Sequence, residues 1–478
     1  MDATRARPAW FLLTQHWLSL VGSALIATAL ISWLFVLPLQ IRGHASNPYV
    51  GIIVFLVLPG VFFTGLILVP IGIYLSKRRI REGLTQTEFD RRAALWRVVW
   101  FFVVVSAVNI LIGTQLTYRA VTYMETPQFC GASCHTMHPE LAAYRNSPHS
   151  RVECVECHVA PGAAGWIDSK TNGLRQLFET VLNITPRPIP SALETNRLVP
   201  ATETCEHCHW PQNFSGTRLR VFSRYAEDET NTGSETVLLM VLGGNRIGGI
   251  HGAHFGPGIH IRFAAADPAR QTIPLVEYRN SVTGDSKTFV AADPPSNSGS
   301  SLPKVDMQCV DCHNRPTHTF DLPERAMDKA LAFGDLPVAL PFIKKTGVEL
   351  LKATYISSQE AAEKIPAGFA NFYQQNYPEV YAKRTADIRQ AGSEVLGIYQ
   401  QNVFPELKVS WGTYPNNLGH TDFPGCFRCH DGSHTAADGK TITQDCNACH
   451  EPLAMEETSP EILKTLGIAG RIQKMQKQ

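Results

Sequence analysis

Three long apolar runs open the chain: Trp17–Leu39, Val50–Leu75 and Trp96–Thr117. Each reaches the roughly 20 residues that cross a bilayer core, and none shows amphipathic periodicity. They predict three transmembrane helices. The first exceeds the apolar stretch of a signal peptide and has no small-residue cleavage site after it, so it reads as an uncleaved anchor. Beyond Tyr118 the pattern becomes that of a folded domain. "TVLLMVLGG" (236–244) and "IHIRFAAA" (259–266) are short β-favouring runs, and "IPLVEYRNSVTGDSKTFVAA" (273–292) reads as two strands around a Gly284-Asp285 turn. The polar stretch Asp293–Ser301 reads as a loop. From Ser357 the apolar spacing turns helical, with a capping box from Ser357 to Glu360 and a further helix opening at Pro378.

Loop charge orients the spans. Lys77, Arg78, Arg79, Arg81, Arg91, Arg92 and Arg97 lie between or beside the second and third runs, whereas the first loop carries only Arg42. The positive-inside rule puts the N-terminus and the basic loop in the cytoplasm and everything after about Tyr118 outside. The formal net charge of +1 hides this asymmetry. The basic run is explained by topology, and no nucleic-acid partner is implied.

The chemistry lies in the 12 cysteines, all in close pairs. Five pairs read C-x-x-C-H: Cys154/Cys157/His158, Cys205/Cys208/His209, Cys309/Cys312/His313, Cys426/Cys429/His430 and Cys446/Cys449/His450. A sixth, Cys130/Cys134/His135, encloses three residues and is followed by Met137. Two thiols about one turn apart can add to the two vinyl groups of one porphyrin, and the next His is carried beneath the iron. Redox dithiols, half zinc sites and disulfides compete for single pairs. They do not account for a His after every pair with no cysteine left over. Six covalent haem c groups are expected, spread unevenly over about 360 residues. The expected fold is a multihaem cytochrome c: three N-terminal transmembrane helices, then a mostly α and irregular periplasmic haem region with a small β insertion. The expected segments are 1–118 (anchor), 119–200 (dihaem), 201–340 (dihaem with the β insertion), 341–415 (helical) and 416–478 (C-terminal dihaem and tail). The expected location is a bacterial inner (cytoplasmic) membrane.

"FCGASCHTM", "NSPHSRVECVECHVAPG" and "SKTNGLRQLF" together resemble the NapC/NirT family of membrane-anchored cytochromes, which includes the NrfH-type quinol dehydrogenases. The likeness covers roughly residues 100–210, and the remainder looks like a longer member of the group. Family members usually carry one span and four or five haems, and this chain departs from that with three runs and six motifs. The resemblance implies that Met137 replaces His135 as a ligand of the first haem, with His135 the alternative. It also implies a quinol-binding lysine after the second motif, which Lys170 matches. The family's acidic partner a few residues on is not matched, since Arg175, Gln176 and Leu177 stand there.

Low-spin haems need a second axial ligand besides the motif His. His149, His318, His420 and His434 are isolated candidates. The fifth comes from the Gly-rich "IHGAHFGPGIHIRF", with His254 preferred and His251 and His260 open. His207 sits inside a Cys pair, poorly placed to reach back, and His138 could lie near the first haem or on the surface.

The functional expectation is an electron-transfer chain from membrane quinol through the haems to a periplasmic redox protein, with the lipid and quinone pool as surroundings. The alternative is a haem-wiring subunit of a larger respiratory or photosynthetic complex with no quinol site of its own. A terminal reductase would need an open iron, and the histidine supply suffices to close haems 2 to 6.

Overall fold

The computed structural model describes residues 16–41, 57–82, 91–133, 135–210, 216–243, 248–294 and 302–468. The chain divides into two compact units, 1–133 and 134–478.

The first unit holds helices α1 (Trp17–Ile41), α2 (Leu58–Arg81) and α3 (Arg91–Met124). Leu58–Arg79 and Val99–Met124 are long and apolar enough to cross a membrane, while the apolar stretch Trp17–Trp33 of α1 is shorter. Length and composition thus support two candidate spans, with α1 a third helix ahead of them. The start of the second apolar run (50–56) and part of the basic loop (83–90) lie outside the described residues. α1 and α2 approach closely through small residues. A Cβ on Gly22 would stand 2.8 Å from the Gly65 carbonyl oxygen, and one on Gly72 would stand 2.5 Å from the Ser19 nitrogen. Such backbone contact is how helices pack where the surroundings are as apolar as the helices themselves. Phe63, Ile67, Tyr74, Trp100 and Leu111 point outward.

The second unit begins with α4 (His138–Arg145) and α5 (Gly162–Val181), after the first and second motifs. Two antiparallel sheets follow. One runs β1 (Thr217–Tyr225), β2 (Gly233–Val241), β8 (His450–Glu457). The other has the order β6-β3-β4-β5-β7, with β3 Ile259–Ala264, β4 Leu275–Asn280, β5 Ser286–Val290, β6 Lys304–Asp306 and β7 Thr435–Ala436. The runs expected to form strands supply most of β2, β3, and β4 with β5. The β region is larger than a small insertion, because β7 and β8 come from the C-terminal segment and close one edge of each sheet. β1 alternates as a half-buried strand should, with Leu219 and Val221 turned inward and Arg218, Arg220 and Arg224 outward. The loop at 295–301 lies outside the described residues.

A haem-free helical module fills 323–402: α7 (Pro323–Phe333), α8 (Ile343–Lys352), α9 (Ser358–Asn376), α10 (Pro378–Lys383) and α11 (Thr385–Asn402). The Ser357 hydroxyl accepts from the Glu360 nitrogen at 3.1 Å, while the Glu360 carboxylate accepts from Ile356 at 2.6 Å, one residue earlier than a capping box requires. Ala361, Ile365, Phe369 and Tyr373 recur every four residues and are wholly buried against Ile388, Ala391, Val395 and Tyr399. Gly392 admits the close crossing, since a Cβ there would meet the Pro366 Cα at 3.3 Å. Asn231, at the tip of the β1–β2 hairpin, donates to the Val338 and Leu340 carbonyls, each at 2.9 Å, and joins this module to the first sheet.

Phe369→Ala empties the centre of this core and is expected to cost about 3–5 kcal/mol. Urea denaturation followed by far-ultraviolet circular dichroism measures it, and the Soret absorbance per chain before unfolding should not change.

Candidate haem sites

The five regular motifs sit on single turns of backbone. His158, His209, His313 and His430 each donate their backbone N–H to the carbonyl of the first cysteine of the motif, at 3.1, 2.8, 2.8 and 3.0 Å. In the last motif Cys449 donates to Cys446 at 3.1 Å. One turn places the two thiols side by side and the His just beyond them, as porphyrin attachment requires. Neither cysteine of the motifs at 205–209, 309–313, 426–430 and 446–450 is in a disulfide. Burial pushes the Cys312 thiol up to about 11 and the Cys429 thiol up to about 12. Such thiols are the opposite of the low-pKa thiolates of redox dithiol enzymes.

Each motif His faces a second imidazole from elsewhere in the chain. Ring centroids are 5.9 Å apart for His209 and His149, 6.3 Å for His158 and His318, 6.4 Å for His313 and His251, 5.9 Å for His430 and His254, and 6.1 Å for His450 and His420. Two imidazoles bonded to one metal at about 2 Å each hold their centroids roughly 6 Å apart, so all five pairs fit a bis-imidazole iron. The rings are tilted by 26–73°, a freedom that rotation about a shared ligand axis allows.

Hydrogen bonds set which nitrogen faces inward. The Nδ1 of His254 donates to the Ile250 carbonyl at 2.7 Å, that of His318 to the Glu140 carbonyl at 3.1 Å, and that of His430 to the Thr443 carbonyl at 2.7 Å. A carbonyl only accepts, so Nδ1 carries the proton and Nε2 keeps its lone pair for a metal. Burial also holds His158, His251, His254, His313 and His318 below the usual imidazole value, which keeps them neutral.

The expectation for His434 is not met. Its Nε2 lies 2.7 Å from the Ile273 carbonyl and its Nδ1 lies 2.9 Å from Asp431, so no lone pair is presented to an iron. Burial works to raise Asp431, but its bonds to His434 and Ser433 hold it down at about 2. His434 therefore ties the β7 turn to the start of β4. The ring that faces His313 belongs to His251. His251 and His254 both lie on α6 (Gly249–Phe255), three residues apart, and serve different motifs. His260 is exposed on β3, and His138 is exposed beside Gln400 and Glu406.

Several supporting residues carry no signal in the sequence. The Arg315 guanidinium lies 4.3 Å from the Tyr414 ring centroid, contacts Glu140 at 3.3 Å and donates to the His318 carbonyl at 2.8 Å. It thereby fixes a distal ring from two sides. The variable positions inside two motifs also lock together. Asp311 is buried and accepts from Arg270 at 2.6 Å, while Arg428 donates to the Asp311 and Arg270 carbonyls at 2.5 and 2.7 Å. His420 stacks on Phe427, with centroids 4.2 Å apart.

At the first motif, Cys130 lies on a π-helical turn, Gln128–Ser133, and the division between the units follows it. Cys134 and the side chain of His135 lie outside the described residues. Met137 is half-buried at the N-cap of α4. Lys170 lies on α5 with its Nζ 5.3 Å from the Trp166 ring centroid.

The model of the NapC/NirT cytochrome c family, N-terminal region, matches residues 92–203. Over 458 residues, 93% of this chain and 89% of the relative, the sequence is 38% identical to the cytochrome c-type protein ImcH of Geobacter sulfurreducens. The chain belongs to the NapC/NirT cytochrome c family. The cytochrome c-type protein TorC of Escherichia coli K12 is 28% identical over 92 residues, 17% of this chain and 23% of that protein. No solved structure matches. As a NapC/NirT cytochrome, the chain is a multihaem protein with covalently bound haem c and a periplasmic haem region on a membrane anchor, which its two candidate spans fit.

Exchanging His251 and His434 in turn separates the ligand reading from the packing reading. His251→Ala should convert one haem from low to high spin, seen as a new electron paramagnetic resonance signal near g = ~6. His434→Ala should leave every haem low-spin and cost about 1–3 kcal/mol of stability through its orphaned partners.

Proposed function

We propose that this chain oxidises membrane quinol and passes the electrons along six haems, in chain order, to a periplasmic redox protein. The observation that carries the reading is the five imidazole pairs, because they close both axial positions at every regular motif. A closed, low-spin iron suits electron transfer and leaves no coordination position for a terminal substrate. The proposed axial set is His158/His318, His209/His149, His313/His251, His430/His254 and His450/His420, with Met137 as the ligand at the first motif.

Bound haem supplies one-electron carriers. The protein's part is to space them, and the buried thiols show how the motifs neighbour one another. Burial raises the Cys157 thiol, and Cys205 and Cys208 add to it. Cys205 likewise acts on Cys309, Cys426 on Cys312, and Cys426 on Cys449. The second to sixth motifs therefore follow one another in space as they do in sequence.

Quinol oxidation releases two electrons and two protons, so a polar group must receive hydrogen at the entry end. Lys170 is proposed to line that end of the path, its Nζ donating to a quinone oxygen, as the likeness to NrfH-type proteins implies. The membrane topology proposed with it is three spans, the N-terminus and the Lys77–Arg97 loop in the cytoplasm and the haem region in the periplasm. This orientation rests on the loop charges.

Lys170→Leu tests the entry site. Stopped-flow reduction by a quinol analogue should slow by about tenfold or more, with haem content unchanged. Unaltered kinetics would remove the site from this chain and favour the role of a wiring subunit fed by a partner. Mass spectrometry of the denatured chain should show six haem additions, and five would mean that the Cys130/Cys134 pair is unused.

A further inference from the structure

α5 is built the wrong way round for a helix of a water-soluble domain. At about 100° per residue, Trp166, Ile167, Leu174, Leu177, Phe178 and Val181 fall within an arc of roughly 120°. Asp168, Asn172, Arg175, Gln176 and Glu179 occupy the other side. In a soluble domain the apolar arc would face the core. Here no residue of the helix is buried, and Trp166, Ile167, Leu174, Phe178 and Val181 are between 42% and 65% exposed. The half-buried positions lie largely on the polar side, at Gly165, Ser169, Asn172, Glu179 and Thr180. That polar side holds the helix to its domain: Arg197, from the segment after α5, donates to Asn172, which also accepts from Arg175 at 3.1 Å. The apolar row continues beyond the helix in Leu182 and Ile184, which are also exposed.

We infer that α5 lies in the membrane surface, with its apolar face sunk into the headgroup and upper acyl region of the bilayer. Three observations select lipid as the occupant. The chain already enters a bilayer through its anchor, and α5 follows the end of α3 by only about 38 residues. Lys170 is the one charged residue in the apolar arc, and it reaches along the helix to the Trp166 ring. A cation on a long stem next to an indole suits the boundary between headgroups and hydrocarbon, where the ammonium reaches water while the stem stays buried. The face also lacks the ring of ionic groups that borders a protein contact, because the charges of α5 at Arg175 and Glu179 pair with each other on the opposite side. A helix with strong amphipathicity, modest overall apolarity and no core contact is the form that binds an interface without spanning it.

The test uses the full-length, haem-loaded chain, one copy per phosphatidylcholine nanodisc, with a fraction of the lipid carrying a photoactivatable diazirine high in its acyl chain. After irradiation, peptide mass spectrometry maps the lipid adducts. Adducts are expected on α5 at Ile167, Leu174 and Phe178, alongside those on α2 and α3, and none on α9. Replacing Leu174 and Phe178 together with Gln should lower the α5 yield by about tenfold, with haem per chain unchanged. Labelled α2 and α3 beside an unlabelled α5 would overturn the inference. So would a cross-link between the α5 helices of two copies that replaces the lipid adducts. The wild-type map decides the matter even where the double variant loses haem.

Discussion

The second unit depends on one geometric demand: two imidazoles must meet with their centroids about 6 Å apart and their Nε2 edges turned toward each other. Five such pairs occur, and in all five the facing ring comes from beyond another motif or most of a sheet: 149 with 209, 158 with 318, 251 with 313, 254 with 430 and 420 with 450. Each pair works as a long-range cross-link once a metal joins it, since ligand binding and chain folding share the same free energy. Outside the helical module the apolar clusters are small, for example Phe263, Ile273 and Val276, or Val237, Ala454 and Leu463. Outside the helical module, bound haems and polar ties would hold the region more than any large core.

Those polar ties concentrate where two sites come together. α6 gives one ring to each of two motifs within a single turn, so the fourth and fifth sites cannot move independently. The same two motifs are joined through Asp311 and Arg428, residues that stand at variable positions between the cysteines. The buried Asp311 carboxylate pairs with Arg270 while Arg428 bonds the backbone carbonyls of both, and such a pair is costlier to break than to build, because removing one partner strands a charge. The arrangement fixes the spacing of two neighbouring carriers, which is the quantity an electron-transfer protein must control.

The covalent chemistry was legible because it is local. C-x-x-C-H is read within five residues, and the apolar runs and the helical spacing after Ser357 are equally short-range. Distal ligation is a tertiary property, and sequence could offer only a short supply of histidines. Four of the rings brought to motif histidines, His149, His254, His318 and His420, were among those candidates. His434 looked equivalent to them, and only its placement against the Ile273 carbonyl tells it apart. His251 and His254 are both placed by a short helix in a Gly-rich stretch whose residues carry no helical spacing to announce it. β8 was hidden because "HEPLAMEE" contains a proline and three glutamates, and it pairs with β2 through shifted register. Strand β1, by contrast, does carry a readable alternation between basic and apolar residues.

Lys170 joins the two ends of the functional argument. On a solvent-facing helix a lysine would be unremarkable. Were the apolar arc of α5 seated in the membrane surface as inferred, its ammonium would be confined to the depth at which water first becomes available, the depth a quinol headgroup at that surface would share. Snorkelling and the proposed quinone binding would therefore be one placement, with and without a ligand. The missing acidic partner bears on the proton path more than on binding. With Arg175 at that point of the helix and Glu179 paired with it, a Lys170 ammonium would donate to a quinone oxygen but accept no proton, so the quinol's protons would leave directly to water, across a boundary that α5 itself would define.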